Sequence, residues 1–309
     1  MKKWDYPKTL TTKMRRVPLI DYDVLFCFVD DFSKAFVGWW QKMLLQRDGE
    51  RKKRNRVTRL HLSEIITIML AYHESGYRCF KDYYGFVMFH HRKEFPYLVS
   101  YDRFVALMKR TFGIVMMMFA ALRGKPTHIM FADSTPYAVC KIVRRYGHKV
   151  FEGLAALSKN SIGWFYGLKL HFLFNDQGEI VRLSITPANV DDRKGLKGLL
   201  AGLLGKIFGD RGYLGKDFFE ELWQEGIQMI TRIRKNMKNK LMPLWDRFYL
   251  DKRMTVESIF SSIKSCGTFE HSRHRNTVNA FCHIFCALIS YQLRSIKPLF
   301  RDDLRELEM

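Results

Sequence analysis

The chain has 309 residues, of which 47% are hydrophobic, and it carries a formal net charge of +21 with a sequence pI near 9.8. This length and apolar content exclude a wholly disordered chain and favour one large or two ordinary domains. The strong positive charge makes a polyanion the first candidate partner, either nucleic acid or an anionic membrane surface.

Membrane insertion and secretion are not favoured by the sequence. The apolar run from Ile114 to Leu122 is much shorter than the roughly 18 residues that a membrane-spanning helix needs. The first residues, Met1-Lys-Lys-Trp-Asp-Tyr6, contain no apolar signal region. The six cysteines form no C-x-x-C pair, which favours reduced structural thiols over a zinc site or disulfides. We therefore expect a cytoplasmic, soluble protein with no membrane partner.

Residues 1–123 are predicted to form a small all-helical domain. Apolar side chains recur at helical spacing from Val24 to Phe32 and from Leu62 to Leu70, before Glu74-Ser-Gly-Tyr77 interrupts the pattern. A helix, a short glycine-containing turn and a second helix are compatible with a helix-turn-helix DNA binder, although any small helical domain shares this order. Further helices are expected at 80–86, 101–108 and 112–122.

A basic run lies between the first two helical patterns and includes Arg51, Lys52, Lys53 and Arg54. Such runs are often solvated faces or linkers. Because helices flank this one, we also consider contact with DNA phosphates, which Lys and Arg bind electrostatically. The domain at 1–123 is therefore a candidate DNA-binding domain.

Residues 124–309 begin with the boundary signal Gly124-Lys-Pro126. The apolar run Thr127-His-Ile-Met-Phe-Ala132 has no helical period and predicts a buried strand that ends at Asp133. Pro136 is expected to stop this strand. A carboxylate at the end of a buried strand is costly to desolvate unless it is paired or binds a cation. An aspartate that simply starts a turn is the alternative.

Strands and helices then alternate. Trp164–Phe174 and Glu179–Ile185 flank the turn Asn175-Asp-Gln-Gly178 and predict a β-hairpin. Lys206-Ile-Phe-Gly-Asp210 repeats the pattern of a strand ending in aspartate. An α/β domain is predicted, with both aspartates at carboxyl ends of strands, where open sheets place their chemistry. The remaining predicted elements are a strand at 227–233, helices near 196–204, 218–223 and 278–293, and an irregular segment at 137–160.

A third acid, Glu257, lies in a segment with helical period. Arg253, Glu257 and Lys264 fall on its polar side, at spacings of one and two turns. Two aspartates at strand ends and a glutamate on a helix could converge on divalent cations, since Mg²⁺ prefers carboxylate oxygens and keeps waters for its substrate. The opposite, apolar side of this helix consists of Val256, Ile259, Phe260 and Ile263.

At this point the sequence resembles the DDE transposases, and more narrowly the bacterial transposases of insertion sequence 982 type. The resemblance covers about residues 127–295, in the family's order. It implies a ribonuclease H-like catalytic domain at 124–309, an α/β mixed sheet flanked by helices, preceded by the all-helical domain. The matching stretches are Gly163-Trp-Phe-Tyr-Gly-Leu-Lys-Leu-His171, Ile185-Thr-Pro-Ala-Asn-Val-Asp-Asp-Arg193, Gly209-Asp-Arg-Gly-Tyr213, Ile230-Thr-Arg-Ile-Arg-Lys-Asn-Met-Lys238, Val256-Glu-Ser258 and Glu270-His-Ser-Arg-His-Arg275.

The resemblance implies roles for particular residues. Asp133, Asp210 and Glu257 correspond to the catalytic acids, which would hold two Mg²⁺ ions, or Mn²⁺ in their place. Three carboxylates in one place repel each other, so we expect the site to assemble fully only with metal. The helix signature Tyr, Arg, Glu, Lys is matched by Arg253, Glu257 and Lys264, whereas Tyr249 stands one residue too early and receives no role.

Several basic residues are predicted to contact the DNA backbone. Arg253 and Lys264 flank Glu257, with simple charge support for the helix as the alternative. Arg211 stands where the family is expected to have lysine. The other candidates are Arg232, Arg234, Lys235, Arg273 and Arg275, and a plain solvated loop remains the alternative for the strip from Arg232 to Lys240.

Six further positions are less determined. His271 and His274 favour phosphate contact over zinc binding, because no cysteine or carboxylate pair accompanies them in sequence. Asp191 and Asp192 are expected to cap the following helix, with catalysis as the lesser alternative. His148 and Glu152 lie in a stretch that resembles the family, but the residues themselves suggest no role.

The predicted function is metal-dependent cleavage and strand transfer of double-stranded DNA at the ends of a bacterial insertion sequence. One alternative is a nuclease of the same fold that cuts without joining. Another is a DNA-binding protein derived from a transposase that has no activity. Because two element ends must be brought together, we expect at least a dimer on DNA.

Overall fold

The computed structural model describes residues 21–47, 58–233, 241–265, 269–270 and 273–300, with only the backbone at 37–47. The described residues divide into two compact units. The helical unit takes those of Met1–Leu122, Ile263–Phe269 and His274–Ser295, and the sheet unit takes those of Arg123–Ser262, Glu270–Arg273 and Ile296–Met309. The chain therefore enters the sheet unit beside the predicted boundary and later returns to the helical unit.

The helical unit forms from segments whose apolar side chains recur at helical spacing. Its last helix is apolar around most of its circumference, and nearly every residue from Asn279 to Leu293 is buried, so it forms the centre of this unit. The helices are α1 (Tyr22–Arg47), α2 (Leu62–Tyr72), α3 (Phe80–His90), α4 (Tyr101–Met108), α5 (Phe112–Leu122) and α10 (Thr277–Leu293).

The last helix, α10, packs within the helical unit. The amide of Asn279 donates to the carbonyl of Val105 at 2.9 Å, and that of Gln292 donates to the carbonyl of Leu122 at 2.8 Å. These bonds attach α10 to α4 and α5. An all-round apolar helix needs partners on several sides, and the helical unit supplies them.

One buried ion-pair network also belongs to the helical unit. Glu74 Oε1 accepts hydrogen bonds from Ser290 Oγ at 2.8 Å and from Arg294 Nε and Nη2 at 3.0 and 2.8 Å. Both charged side chains are largely buried. The network therefore fixes the end of α10 against the residues that follow α2.

The stretch Tyr101–Leu122 is long and apolar enough to cross a membrane, judged by length and composition alone. It consists of α4, a short 3₁₀ turn and α5. Side chains such as Leu107, Val115 and Met118 are buried in the protein. Core helices of soluble proteins pass the same test, so the stretch is weak evidence for a membrane span.

The sheet unit contains a six-stranded mixed sheet flanked by helices. The order is β2-β3-β1-β5-β6, with β4 paired to β3. Pairs β1–β3, β2–β3 and β3–β4 are antiparallel, whereas β1–β5 and β5–β6 are parallel, and the predicted hairpin is confirmed as β3–β4. The strands are β1 (Ile129–Cys140), β2 (Ala156–Lys159), β3 (Trp164–Asn175), β4 (Ile180–Pro187), β5 (Gly205–Gly209) and β6 (Ile227–Thr231).

Helices cover both faces of this sheet. On one face, Met130 and Leu173 pack against Leu196 of α6 and Leu222 of α7. The helices of the unit are α6 (Asp192–Leu200), α7 (Lys216–Gln224), α8 (Leu244–Lys252) and the first part of α9 (Thr255–Ser265), which from Ile263 onward belongs to the helical unit. On the other face, Phe131 lies against Tyr249 of α8, Phe172 and Phe174 lie against Phe260 of α9, and Phe300 stacks on Phe131 with ring centres 3.8 Å apart.

The first strand is longer than predicted. Instead of ending at Asp133, β1 continues to Cys140, because β3 pairs with it along this whole length. Pro136 sits opposite Lys169 and does not stop the strand. The parallel pairing with β5 covers only Ile129–Phe131, so the proline lies where the β5 side of β1 needs no amide donor.

Two elements were not predicted from the sequence. The edge strand β2 lies within the segment expected to be irregular, and it forms by pairing with the start of β3. Helix α8 carries a mixture of charged and apolar residues without a clean stripe. It is fixed partly by an ion pair between Lys206 on β5 and the buried Asp246, with Nζ and Oδ1 2.7 Å apart.

Candidate active site

Asp133 and Asp210 lie at corresponding positions of neighbouring parallel strands. The last parallel pair joins Phe131 on β1 to Phe208 on β5, and each aspartate comes two residues later. Beyond this pair the chain after β5 turns away into a 3₁₀ turn at Arg211–Tyr213. The ending of the parallel pairing opens the sheet at this edge, so both carboxylates are placed where open α/β sheets hold ligands.

Arg253 joins the two carboxylates. Its Nη1 donates to Asp133 Oδ2 at 2.8 Å, and its Nη2 lies 3.7 Å from Asp210 Oδ1. The sequence placed Arg253 on the helix of Glu257. In the structure it instead caps the carboxyl end of α8, and a separate helix, α9, begins two residues later. This break directs the guanidinium toward the aspartates.

The carboxyl of Asp133 has a raised pKa. Burial raises the pKa of this carboxyl, Arg253 and the amide of Ser134 lower it, and the charges of Asp210 and Asp192 raise it, so that the pKa lies at about 6. Its side chain is 19% exposed, against 57% for Asp210. A carboxylate in such a position favours any additional cation that its surroundings admit.

Glu257 lies on α9, which covers the sheet face of Asp133. Phe172 is the cross-strand partner of Asp133, so the two side chains share a face, and Phe172 packs against Phe260 of α9. The apolar stripe of α9 is confirmed by the burial of Val256 and Ile259. Glu257 itself is exposed. Within the described residues, no three His, Cys, Asp or Glu side chains form a ready metal-binding group.

A second polar network lies on the opposite face, next to Asp133. Ser134 Oγ donates to Asp192 Oδ1 at 2.7 Å, and Lys169 Nζ lies 3.3 Å from the same oxygen. His171 Nδ1 is 3.7 Å away, and burial lowers the pKa of His171 to about 4, so its ring is neutral at pH 7 and forms no ion pair. A Cβ at Gly195 would lie 2.3 Å from that ring, so glycine is needed for α6 to approach.

The two neighbouring aspartates of α6 have different roles. Asp191 is the N-cap, because its carboxylate accepts from the amide of Arg193 at 2.9 Å, which confirms the predicted cap. Asp192 was also expected to cap but binds Ser134 and Lys169 instead. The sequence carries a weak signal for this difference, since only one of two adjacent aspartates can occupy the N-cap.

Tyr213 is a functional candidate that sequence reasoning missed. Its side chain is 2% exposed, and its hydroxyl has no hydrogen-bond partner within the described part of the chain. Burial raises the pKa of this phenol well above 10, and the charges of Asp133, Asp192 and Asp210 act in the same direction. A buried hydroxyl without a partner marks a place where a ligand oxygen or a water belongs.

The donor set fits a hard divalent cation. Asp133 and Asp210 offer carboxylate oxygens, and the Arg253 guanidinium between them is a positive charge in the place where a cation would neutralise them. The buried hydroxyl of Tyr213 could donate to an oxygen in the same region. Asp133 and Asp210 would therefore hold the cation, whereas a ligand role for the exposed Glu257 stays a prediction.

Comparison with known families decides the classification. The family model of the transposase DDE domain matches residues 123–277, just over half of the chain. The chain belongs to this family. No curated protein and no solved structure matches it significantly. The match begins where the sheet unit begins, and it includes all three acids predicted for the site.

The structure describes only some of the residues of this transposase that were predicted to contact DNA. Arg211 follows Asp210 directly and is exposed, as are Arg273 and Arg275. Arg232 is paired with Asp251. Lys264 lies in the last turn of α9. The remaining predicted contacts, Arg51, Lys52, Lys53, Arg54, Arg234 and Lys235, lie outside the described residues.

The histidines of the transposase differ from the prediction. His271 lies outside the described residues. His274 was expected in a phosphate-contacting loop, but burial lowers its pKa to about 3, and its ring centre lies 5.1 Å from that of His283 in the helical unit. A neutral, packed imidazole is unsuited to phosphate binding. His148 stacks on Phe151 with ring centres 6.0 Å apart, which gives it a packing role, and Glu152 is exposed.

Proposed function

We propose that this transposase, of the insertion sequence 982 type, cleaves DNA strands at the ends of its bacterial element and joins them to target DNA in a metal-dependent reaction. The observation that supports this most is the pair Asp133 and Asp210 at the open edge of the sheet, held by one arginine. A buried acid whose pKa is raised and whose neighbours are acids is typical of a functional site.

The proposed reaction consists of two in-line phosphoryl transfers. Water attacks first and releases a 3′-hydroxyl, which then attacks the target phosphodiester. Two divalent cations, Mg²⁺ or Mn²⁺, would stabilise negative charge on the attacking and leaving oxygens. Asp133 would bind both cations, Asp210 one of them and Glu257 the other. Asp133 lies within β1, and the residues before and after it pair with β3. A carboxylate held in this way suits a ligand that two ions share.

Arg253 has a second task in this proposal. While it pairs with Asp133 and Asp210, it neutralises their repulsion. When cations take over that task, the guanidinium becomes available to a phosphate oxygen of the bound DNA, which its planar fork suits. Arg253 therefore alternates between holding the acids and holding the substrate.

Double-stranded DNA is the proposed partner, both as element terminal repeats and as target. The net charge of +21 favours binding to the phosphate backbone, and the affinity should fall steeply with salt. We propose that the helical unit reads the element ends and that the transposase is at least a dimer when two ends are held together. It would act in the cytoplasm.

The test uses labelled DNA carrying the element ends, incubated with the protein and Mg²⁺ or Mn²⁺. Joined strands support the proposed transposase. Cut strands without joining would support the alternative of a nuclease, and a shifted band without products would indicate a silent DNA binder. Asp133→Asn serves as the matched negative control, because it keeps the shape of the side chain and removes its charge.

A further inference from the structure

We infer that Asp192 is a fourth acidic residue of the active site and binds the same divalent cations as Asp133 and Asp210. This inference rests on the proposed metal-dependent function and adds a residue outside the predicted triad. It is carried by the position of the two Asp192 oxygens, by the contrast with Asp191, and by the unpartnered hydroxyl of Tyr213.

The two carboxylate oxygens of Asp192 face different neighbours. Oδ1 accepts from Ser134 Oγ at 2.7 Å and lies 3.3 Å from Lys169 Nζ. Oδ2 faces the turn after Asp210, since a Cβ placed on Gly212 would lie 3.6 Å from it. Asp192 therefore extends from α6 between β1 and the turn after Asp210, with one oxygen anchored by Ser134 and the other beside Gly212.

The open edge of the sheet lets groups from both faces meet. Asp133 points to the face covered by α9, while Ser134 points to the face covered by α6. The parallel pairing of β1 with β5 ends at Phe131 and Phe208, so the β5 side of β1 is open beyond that point, while β3 still pairs with β1 on the other side. The charge of Asp192 accordingly acts on Asp133.

Tyr213 supplies the independent observation that a ligand belongs here. Its hydroxyl is almost wholly buried, has no partner among the described residues, and lies within the fields of Asp133, Asp192 and Asp210. Leaving a buried hydroxyl without a partner costs about 1–3 kcal/mol. An oxygen of the ligand sphere, such as a water held by the cation, would accept this hydrogen bond.

A purely structural role for Asp192 makes a different prediction. If the carboxylate only balanced Lys169, then removing either partner would have the same effect. Lys169 also donates to the carbonyl of Val190 at 3.0 Å, so it keeps a partner of its own. Lys169→Met thus removes the ion pair but leaves the Asp192 carboxylate, and it separates the two roles.

The experiment measures Mn²⁺ binding to the full-length, metal-free protein by calorimetry and by electron paramagnetic resonance of free Mn²⁺, with and without duplex DNA. We expect Asp192→Asn to weaken binding at least about tenfold. Asp191→Asn, its neighbour in sequence and paired with Arg193, should stay within twofold of wild type. Lys169→Met should also retain binding within about threefold.

Tyr213→Phe gives a second readout that activity cannot mimic. The variant should melt at or above the wild-type temperature without metal, because it removes an unpartnered buried hydroxyl. The addition of Mn²⁺ should raise the melting temperature of this variant by less than it raises that of wild type. An equal gain in both proteins would contradict the role given to this hydroxyl.

The outcomes separate this inference from the proposed function. If Asp133→Asn loses Mn²⁺ binding while Asp192→Asn binds like wild type, the inference about Asp192 is wrong and the proposed site stands. If Asp133→Asn also binds Mn²⁺ like wild type, or if wild type binds no Mn²⁺ with or without DNA, then the inference about Asp192 and the proposed metal site are both wrong. Equal losses in Lys169→Met and Asp192→Asn would reduce Asp192 to a structural ion pair.

Discussion

Glu74 in the helical unit and Asp133 in the sheet unit are both largely buried carboxylates paired with an arginine, yet their surroundings differ. Glu74 accepts three hydrogen bonds from Ser290 and Arg294. Asp133 accepts one from Arg253 and one from the backbone of Ser134, and it has Asp192 and Asp210 as neighbours. A buried acid surrounded by donors stabilises a fold, whereas one surrounded by other acids is held ready for a ligand.

The largest expected difference is in chemistry. Asp133→Asn should reduce strand cleavage at least about 1000-fold, because it removes a group on which transition-state stabilisation depends. DNA binding should remain near normal, since a neutral amide does not repel phosphate. Glu74→Gln is the matched control, and it should cleave like wild type per folded molecule. Gel shift and single-turnover cleavage measure the two properties, and cleavage by Asp133→Asn at the wild-type rate would refute the site.

For stability, the change at Glu74 should have a larger effect than a change at an acid of the candidate site. Glu74→Ala should lower the free energy of unfolding by about 3 kcal/mol, because Arg294 is left largely buried without its carboxylate. Asp210→Asn should change it by less than about 1 kcal/mol, since Asp210 is mostly exposed. Denaturant unfolding of both variants provides the comparison. Equal losses would mean that the two carboxylates do not differ as proposed.

The pH dependence follows from the raised pKa of Asp133. With a pKa of about 6 in the folded protein and 3.8 as the ordinary value, the folded state binds a proton between about pH 4 and 6 that the unfolded state has lost. Stability therefore falls as the pH rises through this window, by at most roughly 3 kcal/mol. We expect the stability to fall by about 2 kcal/mol, because the side chain of Asp133 is partly solvated.

This slope belongs to the metal-free protein and is measured in the presence of a chelator. Denaturant unfolding of wild type and Asp133→Asn at pH 4, 5, 6 and 7 isolates the contribution of this one group. The stability of wild type relative to the variant should decrease from pH 4 to pH 7. If the stabilities of wild type and Asp133→Asn changed with pH in parallel, Asp133 would have the ordinary pKa of an aspartate.

The smallest expected effect on stability concerns Lys264. Lys264→Ala should slow cleavage and joining about tenfold or more if this residue holds the DNA backbone, while the melting temperature should move by no more than about 2 °C. Lys264→Arg should recover part of the activity, because the charge is kept while its shape changes. A Lys264→Ala variant that cleaves and melts like wild type would leave Glu257 as the only functional group of α9.

Much of the sheet unit could be predicted because its signals are local. The hairpin β3–β4 has alternating apolar residues and a glycine turn, and the apolar run before Asp133 has no helical period. Strand β2 could not be predicted, since it depends on pairing with residues of β3 rather than on its own pattern. The extension of β1 past Pro136 likewise depends on β3, which supplies partners as far as Cys140.

The two aspartates could be singled out from the sequence as candidates, but their connections in the fold could not. Asp133 and Asp210 were identifiable because each follows an apolar strand. The pairing of Arg253 with both was not, because counting along one continuous helix placed it beside Glu257, and nothing local marks the break before α9. Asp192 and Tyr213 needed the fold, since their significance comes from residues far away in sequence.

The return of the chain to the helical unit has a consequence for synthesis on the ribosome. Helix α10 supplies the buried centre of that unit but is made after the entire contiguous segment Arg123–Ser262. The amino-terminal helices therefore wait, with apolar surface uncovered, until translation has passed Leu293. The six strands of the sheet unit are all made before α10, whereas its closing segment Ile296–Met309 follows α10. The strands of the second-made unit can therefore pair before the first-made unit closes, which runs against the usual order of folding during synthesis.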